Sequence, residues 1–323
     1  MAQEVVLGID IGGSLTKVGL VTREGNIIDK TIFKTNAQNP FPSFMEKLKL
    51  EVETLILKWD VDIQIRSIGV GAPNANPHTG QIENPPNLKW GKATPIAKII
   101  NQTFNLPVSL ANDANAAALG EMVFGAAKGM KNFVALTLGT GLGSGIIVDG
   151  KLLIGEHGAA GEIGHVNVEP NGRECNCGLH GCLETYASVT GIKRTVFELL
   201  ADMKIDSPLR GISFKDMSGT DISDAALKGD LIALTAFEKT GEILGSKMAD
   251  TVAHLDPEAF ILSGGLSKAG EILLRPIRTR MQQHLFNAYK GKIKVLLSTA
   301  TSSNAVLGPA ALAWLELENT ALE

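Results

Sequence analysis

A strand, a glycine turn and a second strand occur near the start of this chain and again 127 residues later. In the first copy, residues 5–10 read as a buried strand, Asp10-Ile11-Gly12-Gly13-Ser14 as a turn, and residues 15–22 as a second strand. Glu24-Gly25-Asn26 then signals a hairpin into residues 27–34. Displaced by 127 positions, Ile9-Asp10-Ile11-Gly12 falls on Leu136-Thr137-Leu138-Gly139, and Leu20-Val21 falls on Ile147-Val148. Each copy ends near a turn glycine, Gly25 or Gly150. Any two glycine hairpins share some pattern, but each of these opens a comparable block of mixed strands and helices. The expectation is a duplicated α/β unit.

Between the copies, a helix is predicted over 42–59, with Phe44, Leu48, Val52, Leu55 and Ile56 on one face. A strand at 65–70 enters a loop at Gly71-Ala72-Pro73-Asn74, kept irregular by Pro77, Pro85, Pro86 and Pro95. Helix at 95–104, strand at 108–111 and helix at 115–125 follow. Residues 186–255 read as mostly helical, 259–262 as a buried strand, 293–297 as a last strand, and 301–317 as a closing helix.

A length of 323 residues points to two domains, each large enough to bury a core. Hydrophobic residues at 44% and charged residues at 20% exclude a disordered or fibrous chain. The net charge of −4 and the absence of a like-charge block argue against nucleic acid as a partner. Aromatics at 5% argue against base-stacking surfaces. No apolar run reaches the roughly 18 residues of a membrane span, and Met1-Ala2-Gln3-Glu4 lacks the basic lead of a signal peptide. The reading is a soluble, cytoplasmic protein.

Glycine is concentrated where chemistry is expected. Gly12 and Gly13 let backbone N–H groups approach an anion closely. Thr16 and Lys17 add a hydroxyl and a cation, and Asp10 is placed to hold Mg2+. A plain hairpin turn with a surface lysine is the competing reading. Thr137-Leu138-Gly139-Thr140-Gly141-Leu142-Gly143 is a second such turn, with no Walker lysine after it. Gly264 and Gly265, at the end of a buried strand, are a third close approach, expected under an adenosine. Each could be a structural turn, but together the three favour a nucleotide, with Asp10, Gly12, Gly13, Thr16, Lys17, Thr137, Gly139, Thr140, Gly141, Gly264 and Gly265 as its candidate contacts.

Asn112-Asp113 closes a strand and opens a helix, so Asp113 is either an N-cap or a general base. Cys175, Cys177 and Cys182 are the chain's three cysteines, with Gly178 and Gly181 to bend the loop. Three thiolates in one tight loop suit Zn2+, which needs a fourth ligand. His165, with nine residues between it and Cys175, His180 inside the loop, and His157 are the candidates.

Taken together, these segments resemble the ROK family of sugar kinases and related repressors, over essentially the whole chain. The most specific part is Gly161-Glu162-Ile163-Gly164-His165 followed by Cys175-Asn176-Cys177-Gly178-Leu179-His180-Gly181-Cys182-Leu183-Glu184. Asp10-Ile11-Gly12-Gly13 with Lys17, Leu138-Gly139-Thr140-Gly141-Leu142-Gly143, Ala111-Asn112-Asp113-Ala114-Asn115 and residues 224–230 resemble further family segments. Asn74 departs from the pattern, since many members carry Gly after the Pro.

The resemblance implies an α/β, actin-like ATPase (ribonuclease-H-like) fold of two domains around a nucleotide and sugar cleft. We draw the domains at 1–120 plus a returning 302–323, and at 121–301. It implies that Asp113 is the catalytic base, that Asn87, Asn112, Asp113, Glu162, His165 and Glu184 contact the sugar, and that His165 is the fourth, structural zinc ligand. It further implies a homodimer. The activity expected is ATP-dependent phosphorylation of a hexose, glucose to glucose 6-phosphate. Fructose or N-acetylmannosamine is the alternative substrate, and a sugar-sensing repressor the alternative class. The repressors carry a helix-turn-helix segment before the first hairpin, and here that hairpin begins at Val5.

Overall fold

The apolar run at the start of the chain forms β1 (Gln3–Ile11), buried from Val5 to Ile9. In the computed structural model, residues 2–59, 63–85, 87–299 and 304–322 are described. The expectations that fall on Pro86 and on residues 301–303 lie outside them. By its packing the chain divides into two compact units. Unit 1 comprises Met1–Gly129, Leu152–Ala160 and Thr299–Glu323, and unit 2 comprises Met130–Lys151 and Gly161–Ser298.

In unit 1, β1 is followed by β2 (Leu15–Val21), β3 (Ile27–Lys34), α1 (Phe41–Leu57) and β4 (Ile63–Ala72). Then come β5 (Ala75–Asn76), β6 (Gln81–Glu83), β7 (Ala93–Thr94), α2 (Ile96–Phe104), β8 (Val108–Asn112) and α3 (Asp113–Phe124). The main sheet has the order β3-β2-β1-β4-β8. β1, β2 and β3 run antiparallel, while β4 and β8 add in parallel. The predicted face of α1 is buried at Phe44, Leu48, Val52 and Leu55, on a core that includes Ile9, Val18, Leu20 and Val70.

The loop after β4 corrects the expectation of irregular backbone. β5, β6 and β7 form a small antiparallel sheet of their own. Its prolines lie outside those three short strands, at Pro73, Pro77, Pro85 and Pro95, so no ladder N–H is lost to them. Asn74 takes φ +53°, the left-handed region. Asparagine is the residue after glycine that adopts it most readily, so the departure from the family's glycine preserves the turn. Its side chain donates to the Asn84 carbonyl at 3.2 Å.

Unit 2 contains β9 (Phe133–Leu138), β10 (Leu142–Val148), β11 (beginning at Lys151), α4 (Val189–Asp202), α5 (Gly219–Leu227) and α6 (Leu231–Leu255). β12 (Ala259–Ser263), α7 (Glu271–His284) and β13 (Lys294–Leu297) complete it. The sheet order is β11-β10-β9-β12-β13. β9 is antiparallel to β10 and parallel to β12, which is parallel to β13. Both sheets therefore place an antiparallel hairpin on one side and two parallel strands on the other, as the repeat predicts. The copies differ by one residue in the turn. Ile11 pairs with Thr16, whereas Leu138 pairs with Leu142.

The closing helix α8 (Leu307–Leu322) returns to unit 1, where Val306, Ala310, Ala313 and Trp314 pack on Val6 and Val21. It sits flush on the sheet because the strands present glycines to it. A Cβ at Gly69 would overlap the Pro309 carbonyl.

Candidate functional site

Unit 1 builds its candidate residues at the ends of β1 and β8. The β1–β2 register sets Asp10 opposite Lys17, and Lys17 Nζ donates to Asp10 Oδ2 at 2.9 Å. Their side chains are about one-fifth exposed. The turn between them is closed by Gly12 N–H donating to Leu15 O at 3.0 Å. A Cβ at Gly13 would stand 3.1 Å from Cβ of Asn87, so the turn packs against that residue.

Thr16 is a correction. It was expected at the nucleotide, but the β2 pleat turns it inward and it is 0% exposed. Its hydroxyl bonds that of Thr35 at 2.9 Å, so it has no surface to offer a ligand.

At the end of β8, Asn112 is the N-cap of α3, its side chain accepting from Ala114 N–H at 2.9 Å. The cap reading therefore belongs to Asn112. Asp113 is the first helical residue, exposed, with Oδ1 also accepting from Ala114 N–H at 2.8 Å. A carboxylate in the first turn is favoured by the positive end of the helix dipole.

Unit 2 builds the second glycine turn. Gly139 N–H donates to Gly141 O at 3.0 Å, and Val189 N–H to Gly139 O at 2.8 Å. Leu142 N–H donates to Glu184 Oε2 at 2.9 Å. A side chain at Gly141 would overlap that carboxylate, whereas a Cβ at Gly139 would meet nothing within 4 Å. Thr137 lies opposite Gly143 in the β9–β10 hairpin, and Thr140 is exposed in the turn. Gly264 has φ +92°, and a Cβ there would sit 2.5 Å from Leu138 O. Its glycine is thus required by the sheet. Gly265 has only ordinary contact, with Val189.

The cysteine loop folds on short bridges, Glu174 with His180 and Asn167 with Cys182. Gly181 has φ +74°, and a Cβ there would overlap Glu169 O. Sγ of Cys177 and Cys182 lie 3.6 Å apart, and Nδ1 of His165 lies 3.8 Å from Cys175 Sγ. The four potential ligand atoms all fall within 4.8 Å of one another. Tetrahedral bonds of about 2.0–2.3 Å separate ligands by about 3.3–3.8 Å, so three thiolates and one imidazole fit zinc. His157 and His180 are not in the cluster.

Burial pushes the Cys175 thiol up to about 12. Burial likewise raises Cys182. At Cys177 burial also acts upward, but it is outweighed by hydrogen bonds from Leu179 N–H and from the other two thiols, and the group lies below its ordinary value. Nε2 of His165 faces Glu162, 3.9 Å from its carboxylate.

Sequence reasoning missed Arg173, two residues before the first cysteine. All five of its guanidinium N–H groups find acceptors. Nε and Nη2 grip the Glu198 carboxylate at 2.9 and 2.6 Å, Nη1 reaches the Thr185 and Gly191 carbonyls, and Nη2 also reaches Thr195. The guanidinium lies over the Tyr186 ring, 4.5 Å from its centroid. It fastens the cysteine loop to the segment that carries Glu184. No spacing rule marks such a residue; the only signal was an arginine beside a metal loop.

Two five-stranded α/β sheets, a glycine turn in each unit and a cluster of one histidine with three cysteines set the class of protein to which the chain belongs. The sequence model of the ROK family matches residues 6–316. The chain belongs to the ROK family, and it has the actin-like ATPase fold of ROK kinases. It is 34% identical over 311 residues to a glucokinase of Thermotoga maritima, covering 95% of this chain and 96% of that one. It is 32% identical to a xylose repressor of Caldicellulosiruptor bescii, over 94% of this chain and 76% of the repressor. Among solved structures, it resembles a ROK family glucokinase from Streptomyces griseus in complex with glucose and AMPPNP. The TM-score is 0.81 and the identity 32%, over 96% of this chain and 99% of the other.

Proposed function

We propose that this protein is an ATP-dependent hexose kinase acting on glucose, with Asp113 as the general base. The observation that carries the reading is at the start of α3. Asn112 is the N-cap of α3, and Asp113, its first residue, is exposed with Oδ1 accepting from Ala114 N–H. The reading is supported by the resemblance to a glucokinase complexed with glucose and AMPPNP.

In this reading Asp113 accepts the proton of a sugar hydroxyl as its oxygen bonds the γ-phosphorus. The bond from that phosphorus to the β–γ bridging oxygen breaks, and ADP leaves. Positioning and charge compensation carry most of such a reaction. Lys17 and the backbone of both glycine turns hold phosphates. Asp10, its charge balanced by Lys17, would hold magnesium, which supplies charge neutralisation on the phosphates. Gly264 and Gly265 border the adenosine. Asn87, Asn112, Glu162, His165 and Glu184 bond the hexose. Zinc, when bound by His165, Cys175, Cys177 and Cys182, supplies rigidity to the loop and fixes which nitrogen of His165 is left to donate.

No helix among the described residues is long and apolar enough to cross a membrane; a cytoplasmic location is part of the proposal. A homodimer and the domain limits 1–120 plus 302–323 and 121–301 belong to the same proposal. The repressor relative supports a second reading, sugar sensing without transfer. A coupled assay of ADP release with glucose, fructose, N-acetylmannosamine and xylose separates the two. Turnover with glucose supports the kinase. Sugar binding with no ADP release from any of the four contradicts it.

A further inference from the structure

Thr35, the residue after β3, holds the first glycine turn by two bonds. Its backbone N–H donates to Ser14 O at 3.0 Å, and its hydroxyl donates to Gly12 O at 2.7 Å. The same hydroxyl oxygen then receives the Thr16 hydroxyl at 2.9 Å. Thr35 is 2% exposed and Thr16 0%, so this relay is shielded from water. A buried hydroxyl without its partner costs more than an exposed one, which keeps the relay intact.

The consequence lies in the peptide plane. In a planar trans peptide the C=O of one residue and the N–H of the next point in opposite directions. With Gly12 O drawn toward Thr35, the N–H of Gly13 is turned to the other side of the turn. Among the described residues Gly13 N–H meets no acceptor. An N–H fixed in direction and left unpaired is what an anion-binding turn requires.

We propose that Thr35 is a positioning residue for nucleotide binding. Through its bond to Gly12 O it aims the Gly13 N–H at a phosphate oxygen. This rests on the assignment of the first glycine turn to ATP. Thr35 touches no substrate. It lowers the cost of binding because the donor is oriented before the phosphate arrives.

The test is calorimetric titration of a non-hydrolysable ATP analogue with magnesium into wild type, Thr35→Val and Thr35→Ser. Glucose is titrated into the same preparations. Thr35→Val keeps shape and backbone N–H and loses only the hydroxyl. It is expected to weaken the analogue by about fivefold to tenfold, the range for one lost hydrogen bond. Glucose affinity is expected to stay within about twofold, and Thr35→Ser to bind the analogue as wild type does. If Thr35→Val does not fold, Thr35→Cys, a weaker donor, is read in its place. Asp10→Ala and Lys17→Ala serve as references. If they weaken the analogue while Thr35→Val leaves it unchanged, the role given to Thr35 is overturned. If none of the three has any effect, the assignment of the turn falls with it. Thr35→Ser binding as weakly as Thr35→Val would make the methyl group, not the hydroxyl, the determinant, and would also overturn the proposal.

Discussion

Glu162 and Glu184 were both expected to serve the sugar, but their surroundings differ. Glu162 is exposed beside His165. Glu184 accepts from Leu142 N–H and lies flush with Gly141, so the second glycine turn leans on it. Glu162→Gln is therefore expected to raise KM for the hexose with little change in KM for ATP. Glu184→Ala is expected to raise both, since it removes a partly buried acceptor from a backbone N–H. Steady-state kinetics with each substrate varied in turn would check the split, and equal effects of the two variants would contradict it. Asn74 offers a backbone test. At φ +53°, Asn74→Val should cost about 1–2 kcal/mol by thermal or denaturant unfolding, whereas Asn74→Gly should be close to neutral. Residue types were legible in the sequence, but their surroundings were not. The Asp113 cap question needed the position of Asn112. The burial of Thr16 depended on which way the β2 pleat faced, and the contact of Gly13 with Asn87 joins positions far apart in the chain.

At the scale of elements, the cysteine loop is the clearest case of local sequence dictating local structure. Its three cysteines and two turn glycines were readable, because a metal site needs several ligands within a few ångströms. The residues alone left the fourth ligand among His165, His180 and His157, and only the family resemblance singled out His165, which the structure places in the cluster. Arg173, which ties the loop to Glu198 and Thr185, was not readable, because its partners lie in elements whose packing only the fold defines. Metal-free, the raised thiols of Cys175 and Cys182 hold protons that zinc must displace. Zinc affinity is thus expected to rise with pH, by at least roughly a hundredfold per unit between pH 6 and 8 for two displaced protons, as read by competition with a chromophoric chelator. The sign for the metal-free chain is opposite. A raised Cys175 pKa contributes stability present below its ordinary value of 9.0 and lost as the pH climbs toward about 12. Cys177→Ser should lose about one zinc per chain by metal analysis and weaken glucose binding more than nucleotide binding. A zinc-free variant with full glucose affinity would show that the loop does not brace the sugar residues. The small sheet of β5, β6 and β7 escaped the sequence because two- and three-residue strands carry too little periodicity.

For the whole molecule, the repeat was legible as a pattern and its meaning became plain in the strand orders, β3-β2-β1-β4-β8 and β11-β10-β9-β12-β13. The displacement of 127 holds for the first strand of each hairpin and slips by one in the second, where the turn is shorter. How the closing helix completes unit 1 was not legible, because α8 is joined to the sheet by close approach at glycines and not by a pattern within the helix. Gly69→Ala, which would force a methyl group into the Pro309 carbonyl, is expected to destabilise unit 1 by about 1–3 kcal/mol. That is measurable as a lower denaturation midpoint with unchanged slope. The claim that organises these observations is phosphoryl transfer from ATP to a hexose with Asp113 as base. Phosphorus NMR of the protein with glucose and magnesium ATP follows both products at once. Wild type is predicted to form sugar phosphate and ADP in equal amounts, and Asp113→Asn to form them at least about 10²-fold more slowly while binding glucose with little change. Asp113→Asn turning over near the wild-type rate, or glucose bound by wild type with no sugar phosphate formed, would contradict the account.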